Sequence, residues 1–341
     1  MILTIYKTLY LTRLCGWMTL LLSSLLLLSC SQSKHENYSH LLQEYNEAHD
    51  AQGQGNLDKA AMNYRDCIAQ CSNEQYIDDD SVKQLLPKAM VQLMNTFQSQ
   101  GKQGECVAYF DSLKREVDEQ PTIYNKVLQH YFKRDVYVLL AYSLSRTDDE
   151  ARGVKVMDEA LTMPLYNANH ERLFRDYAYA AGVYYCVPST QAEMFKYGRK
   201  ALDEVKKSPN KSGAQWLVTM LGSMYHRTGK VDEAIRMYQE GYELATMAKD
   251  TLGMANAKKE MADYLLQWHL DSIANRYATE AVLLIDQVAN DNPMVKTGVL
   301  VTKAKILKKM HRKAEALSYL RKAKQSSVGL PYNSGVSDIG V

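Results

Sequence analysis

Cys67 and Cys71 stand four residues apart in a segment of helical pattern, which turns both thiols to one helix face and could form half of a soft-metal site. No histidine and no second cysteine pair follows at zinc spacing, so the pattern fits small buried thiols better. The 8 histidines, at positions 35, 40, 49, 130, 170, 226, 269 and 311, are scattered, with no pair at helical ligand spacing. Asp78-Asp79-Asp80 is an acidic run, but it lacks the glycine and the closing glutamate of a calcium loop and reads as solvated chain between helices. Asp148-Asp149-Glu150 reads as a turn entering a helix N-terminus, where carboxylates favour the dipole. Glycine-rich phosphate loops, a paired-histidine metalloprotease helix and a serine nucleophile elbow are all absent from the sequence. These residues ask for no metal and no cofactor, and the sequence reads as that of a non-enzyme.

The elements that carry them are helical by composition. Among 341 residues there are only 17 glycines and 7 prolines, while alanine, leucine, methionine, lysine, glutamate and glutamine abound. A hydrophobic share of 46% with 23% charged residues supports a buried core rather than disorder. Lys plus Arg at 41 against Asp plus Glu at 39 excludes a protein built to coat nucleic acid, so no nucleic-acid partner is expected.

The net charge of +2 sits at the front of the chain. Lys7 and Arg13 are the only charged residues up to position 29, residues 14–33 carry none, and 21–28 are nearly all leucine. A basic segment followed by a short apolar one is the pattern of an export signal. It closes on Leu27-Leu28-Ser29-Cys30, which resembles the lipobox of bacterial lipoproteins. That resemblance implies cleavage before Cys30, a lipid on the Cys30 thiol, and a chain held at a membrane of the bacterial cell envelope, facing periplasm or cell surface. The rival is an uncleaved anchor, since about 20 uncharged residues can just span a bilayer; Ser23, Ser24 and the serines after position 28 make that span poor. On the first reading residues 1–29 are a signal peptide and 30–37 a polar tether.

An internal repeat governs the rest. In residues 215–245, Leu221-Gly222, Tyr225, Gly229, Asp232-Glu233-Ala234 and Tyr238 alternate small and large side chains. Two helices joined at Thr228-Gly229-Lys230 would bring small Gly222 against small Ala234, with the rings filling the space on either side. This resembles the tetratricopeptide repeat, a helix-turn-helix unit. The site of Ala60 recurs at Cys106, Gly153, Met194, Ala234, Ala274 and Ala316, and the first small site at Ala48, Met94, Ala141, Gly182, Gly222, Ala262 and Ala304. The steps of 46, 47, 41, 40, 40 and 42 exceed the unit of about 34 residues, so helices or links are longer here. Gly153 and Gly198 make the third and fourth units depart most. The expected fold is all-α, a right-handed superhelical solenoid of about seven tetratricopeptide-like repeats over residues 38–327, with 328–341 an irregular tail or a truncated eighth repeat.

The prolines test this frame. Pro121, Pro164, Pro209, Pro293 and Pro331 fall between units, Pro188 in an intra-repeat turn, and Pro87 at the expected start of a first helix.

In such an array the first helices line a concave face. Tyr142, Tyr179, Trp216, His226, Arg227, Lys259, Asp263 and Lys305 are the candidates for binding a protein or peptide there. Packing of Trp216 on the preceding repeat is the competing use of that residue. Residues 296–324 hold ten Lys or Arg against Glu315 alone, a basic end that could dock an acidic partner or an anionic membrane, or simply be a solvated helix face. The resemblances imply a non-enzymatic, envelope-located lipoprotein that acts as a protein-binding scaffold. The alternative is the periplasmic sensor portion of a repeat-containing two-component kinase or transcriptional regulator, which the chain's front also resembles. Glycan-binding outer-membrane lipoproteins share only the leader and helical units.

Overall fold

The computed structural model describes residues 38–119, 126–211, 214–288 and 293–327. The signal sequence, Cys30, the tether and the tail from 328 onward lie outside these residues. The described chain contains fourteen helices and no strand.

The chain divides into two compact units, residues 1–166 and 167–341. The first holds three helix hairpins: α1 (38–53) with α2 (Leu57–Cys71), α3 (Asp80–Ser99) with α4 (Gln103–Asp118), and α5 (Lys133–Leu144) with α6 (Glu150–Thr162). The second holds four: α7 (His170–Cys186) with α8 (Gln191–Lys207), α9 (Ala214–Arg227) with α10 (Val231–Met247), α11 (Thr251–Gln267) with α12 (Asp271–Ile285), and α13 (Pro293–Lys309) with α14 (Lys313–Ser326). Seven hairpins thus occupy the seven expected repeats.

The repeat frame lands on one structural position throughout. Ala60, Cys106, Gly153, Met194, Ala234, Ala274 and Ala316 are each the fourth residue of the second helix, and all are buried. Their counterparts on the first helices, from Ala48 to Ala304, are buried too. The close approach has two forms. At Gly153 a side-chain carbon would sit 3.0 Å from the Ala141 carbonyl oxygen, so backbone meets backbone. At Gly222 the nearest neighbour is not Ala234, as the sequence suggested, but the ring of Tyr238, whose Cε1 lies 2.6 Å from where a Cβ would stand. Tyr238 is one helical turn beyond Ala234, and its ring lies over the glycine.

The turns inside the hairpins explain the constant register. Gly55, Gly101, Gly229, His269 and His311 all have positive φ, between 59° and 77°, and each lies five residues before the buried small site. In each, the turn residue and its successor bond back to the first helix. Gly229 N–H donates to His226 O and Lys230 N–H to Tyr225 O, both at 2.9 Å; His311 N–H and Arg312 N–H donate to Lys308 O and Leu307 O at 3.0 and 2.9 Å. This is the Schellman closure, which requires a left-handed residue. Three turns use glycine; two force histidine into a conformation that costs a side-chain-bearing residue about 1 kcal/mol. Hairpins three and four close differently, through Thr147 and through a short 3-10 turn at Pro188–Thr190.

Two local expectations change. Pro87 lies inside α3, not at its start, because Asp79 caps the helix earlier by accepting from Ser81 N and Val82 N at 2.9 and 3.2 Å. The acidic run is therefore a helix start: Asp79 caps, and Asp80 pairs with Lys83 at 3.3 Å. Cys67 and Cys71 are buried free thiols whose sulfurs share a long hydrogen bond of 4.0 Å and no disulfide, and burial beside Ser143 pushes the Cys106 thiol up to about 11 despite the bond that thiol shares with the hydroxyl.

In the first unit Asp118 joins α4 to α5. Its carboxylate is 2.7 Å from both Lys114 and Lys133 and accepts from the Tyr137 hydroxyl at 2.6 Å. Burial alone would raise its pKa, but the two ammonium groups and the phenol hold it down at about 2.

Two outcomes are expected. Exchanging His269 or His311 for glycine should raise unfolding stability by about 0.5–1 kcal/mol, and Gly229→Val should lower it by about 1–2 kcal/mol, both read by denaturant titration. Asp118→Asn should cost at most about 2 kcal/mol at neutral pH. Because the folded pKa is depressed, that difference is present above about pH 4 and should vanish as pH falls through 2; a constant difference down to pH 2 would contradict the ion-pair account.

Candidate functional site

In the second unit the first helices α7, α9, α11 and α13 touch in sequence along one side. Seven of the eight residues expected to meet a partner lie on them: Tyr179 on α7, Trp216, His226 and Arg227 on α9, Lys259 and Asp263 on α11, and Lys305 on α13. Tyr142 is on α5 of the first unit and is buried, only 7% exposed; its hydroxyl accepts from Arg146 at 2.6 Å. Tyr142 lies late in α5, where every residue from Arg134 to Leu144 is buried, so its ring turns inward and meets the Arg146 guanidinium 4.8 Å from its centroid.

The structure brings Lys259 and Asp263 together on α11 and sets others against residues of neighbouring hairpins. The Arg227 guanidinium lies 6.0 Å over the ring of Tyr185 on α7. His226 stands edge-on to Tyr264 on α11, with centroids 4.9 Å apart. Lys259 pairs with Glu260 at 2.7 Å and with Asp263 at 3.4 Å, and Asp263 accepts from Thr302 on α13 at 2.9 Å. Partial burial acts to lower the Lys259 pKa, yet these two carboxylates carry it above the usual lysine range. Glu260 and Thr302 belong to this cluster and were not singled out from the sequence. Trp216 is 37% exposed, Tyr179 is half-buried, and Arg227 and Lys305 are exposed.

A second feature lies on the other helices. Between α8 and α10 a cleft of about 330 Å³ is floored by Tyr225, Leu202 and Met237 and walled by Arg199, Asp203, Lys206, Glu233, Arg236 and Glu240. Arg199 donates to the Tyr225 hydroxyl at 2.8 Å, and Lys206 pairs with Glu240. Its signal was present in the sequence as charges at 199, 203 and 206 and again at 233, 236 and 240, helical spacing that puts each set on one stripe. Attention to the first helices alone passed over it. Among the described residues no three His, Cys, Asp or Glu side chains gather as metal ligands, and no helix is long and apolar enough to cross a membrane.

The alternation of small residues and rings between α9 and α10 coincides with a family match. The sequence profile of the tetratricopeptide repeat matches residues 217–246. These residues are a tetratricopeptide repeat. The other six hairpins share its buried small site, and the fold is tetratricopeptide-like throughout the described chain. No curated protein sequence matches. Among solved structures the chain is similar to the apo form of RapI, with 10% identity and TM-score 0.57, covering 87% of this chain and 79% of that one. It is also similar to BtubC from P. vanneervenii, with 13% identity, TM-score 0.54, and 68% and 94% coverage. A third is the signal transduction ATPase with numerous domains from Pyrococcus horikoshii, which has a tetratricopeptide repeat sensor. There identity is 15% and TM-score 0.51, with 89% of this chain aligned to 52% of the other. Identities this low speak to fold alone.

Proposed function

We propose that this chain is a non-enzymatic tetratricopeptide scaffold of the bacterial cell envelope, held at a membrane by a lipid on Cys30, that binds a protein or peptide on the face made by its first helices. The observation that carries the binding role is the row α7, α9, α11 and α13, which presents Trp216, Arg227 and Lys305 to solvent on a frame locked by other side chains. Indole and guanidinium groups on a rigid frame are the anchors that interfaces use most. Recognition is passive: the repeats supply a preformed surface, and no catalytic step is invoked. The location rests on the basic and apolar segments before Leu27-Leu28-Ser29-Cys30.

A second reading is favoured by one comparison. A sensor of tetratricopeptide repeats occupies part of the signal transduction ATPase from P. horikoshii, and this chain aligns with 52% of that protein. On that reading the repeats are the ligand-sensing portion of a signalling protein.

Two measurements decide between these. Photo-crosslinking side chains placed beside Trp216 and Arg227 in cells should trap a partner, and Trp216→Ala with Arg227→Ala should cut the yield about tenfold without changing the melting transition; an equal loss of yield and of stability would show a packing role only. The intact mass of the native product should correspond to a lipidated chain starting at Cys30, and Cys30→Ala should remove the added mass. A much larger product would favour the sensor.

A further inference from the structure

The sixth hairpin departs from the other six at its turn. Trp268, Leu270 and Ile273 are 49%, 46% and 41% exposed and follow one another around the connection from α11 to α12. The counterparts of Ile273, one residue before the buried small site, are Lys59, Glu105, Arg152, Glu193, Glu233 and Glu315, all charged. The six counterparts of Leu270 are all polar or charged as well. Packing of the repeat therefore does not ask for apolar side chains at these two positions, and there the sixth hairpin alone presents them to solvent.

The side facing the seventh hairpin is basic. Lys309 reaches across from α13 to donate to the Leu266 carbonyl at 2.7 Å and pairs with Asp271 at 3.3 Å, so the two turns lie edge to edge. Glu315 is taken up by Arg312, with two contacts of 2.7 Å. Lys313 and, one turn after Ile273, Arg276 are exposed and form no ion pair. The turn of the fifth hairpin carries Lys230 followed by Asp232 and Glu233 in the first turn of α10, a near balance, so the unpaired positive charge is that of Arg276 and Lys313.

We propose that this turn edge docks on an anionic phospholipid surface, with Trp268, Leu270 and Ile273 entering the headgroup layer and the exposed Arg276 and Lys313 set against lipid phosphates. Tryptophan favours the bilayer interface because its ring is apolar while its N–H stays hydrogen-bonded. Lysine and arginine beside it gain from the negative surface potential. Side chains on a turn tip can enter a fluid interface without a matching groove, which a protein partner would have to supply. The site is separate from Cys30: a lipid there tethers the chain's front, whereas this edge would orient the second unit.

The test places the full chain in vesicles of phosphatidylcholine alone or with about one third phosphatidylglycerol, with brominated acyl chains as quenchers. The readout is the emission lost in Trp268→Phe, which isolates Trp268 from the other two tryptophans. Quenching of that component in the anionic vesicles, with little in phosphatidylcholine alone, is expected. Arg276→Glu with Lys313→Glu should reduce it about tenfold. Leu270→Asn with Ile273→Glu, which restores residue types found in the other hairpins, should abolish it while leaving the melting transition in place. Absence of quenching in both vesicles, or equal quenching in both, overturns the proposal. So does Trp268-dependent cross-linking of two chains, which would assign the patch to self-association. Cys30→Ala keeps the two membrane readings distinguishable: loss of anchoring with Trp268 still quenched supports this edge as a site of its own, and loss of both overturns it.

Discussion

Everything in this fold hangs on one close approach, repeated seven times, between the fourth residue of each second helix and the first helix before it. That contact works only if the turn delivers the chain at the same angle and register each time. In five hairpins the delivery is made by a left-handed residue five positions earlier, with two backbone bonds closing on the first helix. The turn thus satisfies carbonyls that a helix end would otherwise leave bare, and it points the next helix back along the first. Once the small residue is seated, side chains one helical turn later, such as Tyr64, Phe110 and Tyr238, reach the core together. The spacing of the repeats is long because some helices are long, α3 reaching 20 residues, and because some links are, as from Asp118 to Lys133 ahead of the 12-residue α5.

The two hairpins that lack the left-handed turn bury aspartates in their first helices. Hairpins three and four each carry an Arg-Asp pair at the same register, 134–135 on α5 and 175–176 on α7, and both aspartates are buried. Arg134 donates to the Met163 carbonyl at 2.8 Å, and Arg175 meets Asp176 at 2.7 Å. Buried charges cost desolvation and stabilise little beyond what their partners return, but they penalise any other register. In these two hairpins, register is held by fixed polar partners rather than by turn geometry.

Most of this was legible in the sequence because it is periodic. Small residues that must let two backbones approach cannot be replaced freely, so Ala60, Ala234 and Ala274 announce their position by type and spacing. Three things were not legible. His269 and His311 occupy a glycine position, and although histidine is among the side-chain-bearing residues that adopt positive φ more often, that preference is too weak to mark a left-handed turn. Pro87 sits within α3 because a cap at Asp79, itself part of what looked like a loop, starts the helix early. The partner of Gly222 is a ring rather than Ala234, since spacing gives the residues of one face but not the rotamer that covers a gap.

The binding face was harder to read for a different reason. The side chains that suit recognition also suit joining one hairpin to the next. His226 meets Tyr264, Arg227 approaches Tyr185, and Asp263 holds Thr302, each contact crossing from one first helix to its neighbour. A ligand that engaged His226 or Asp263 would compete with these links and loosen the frame that presents it. Lys305 and the outward part of Arg227 carry no such conflict, and Trp216, which has contacts of its own within the array, still keeps 37% of its surface open to solvent. Rigidity and recognition are therefore divided along α9, α11 and α13. The residues facing along the row hold the array, and those facing away from it offer solvent-exposed surface to a partner.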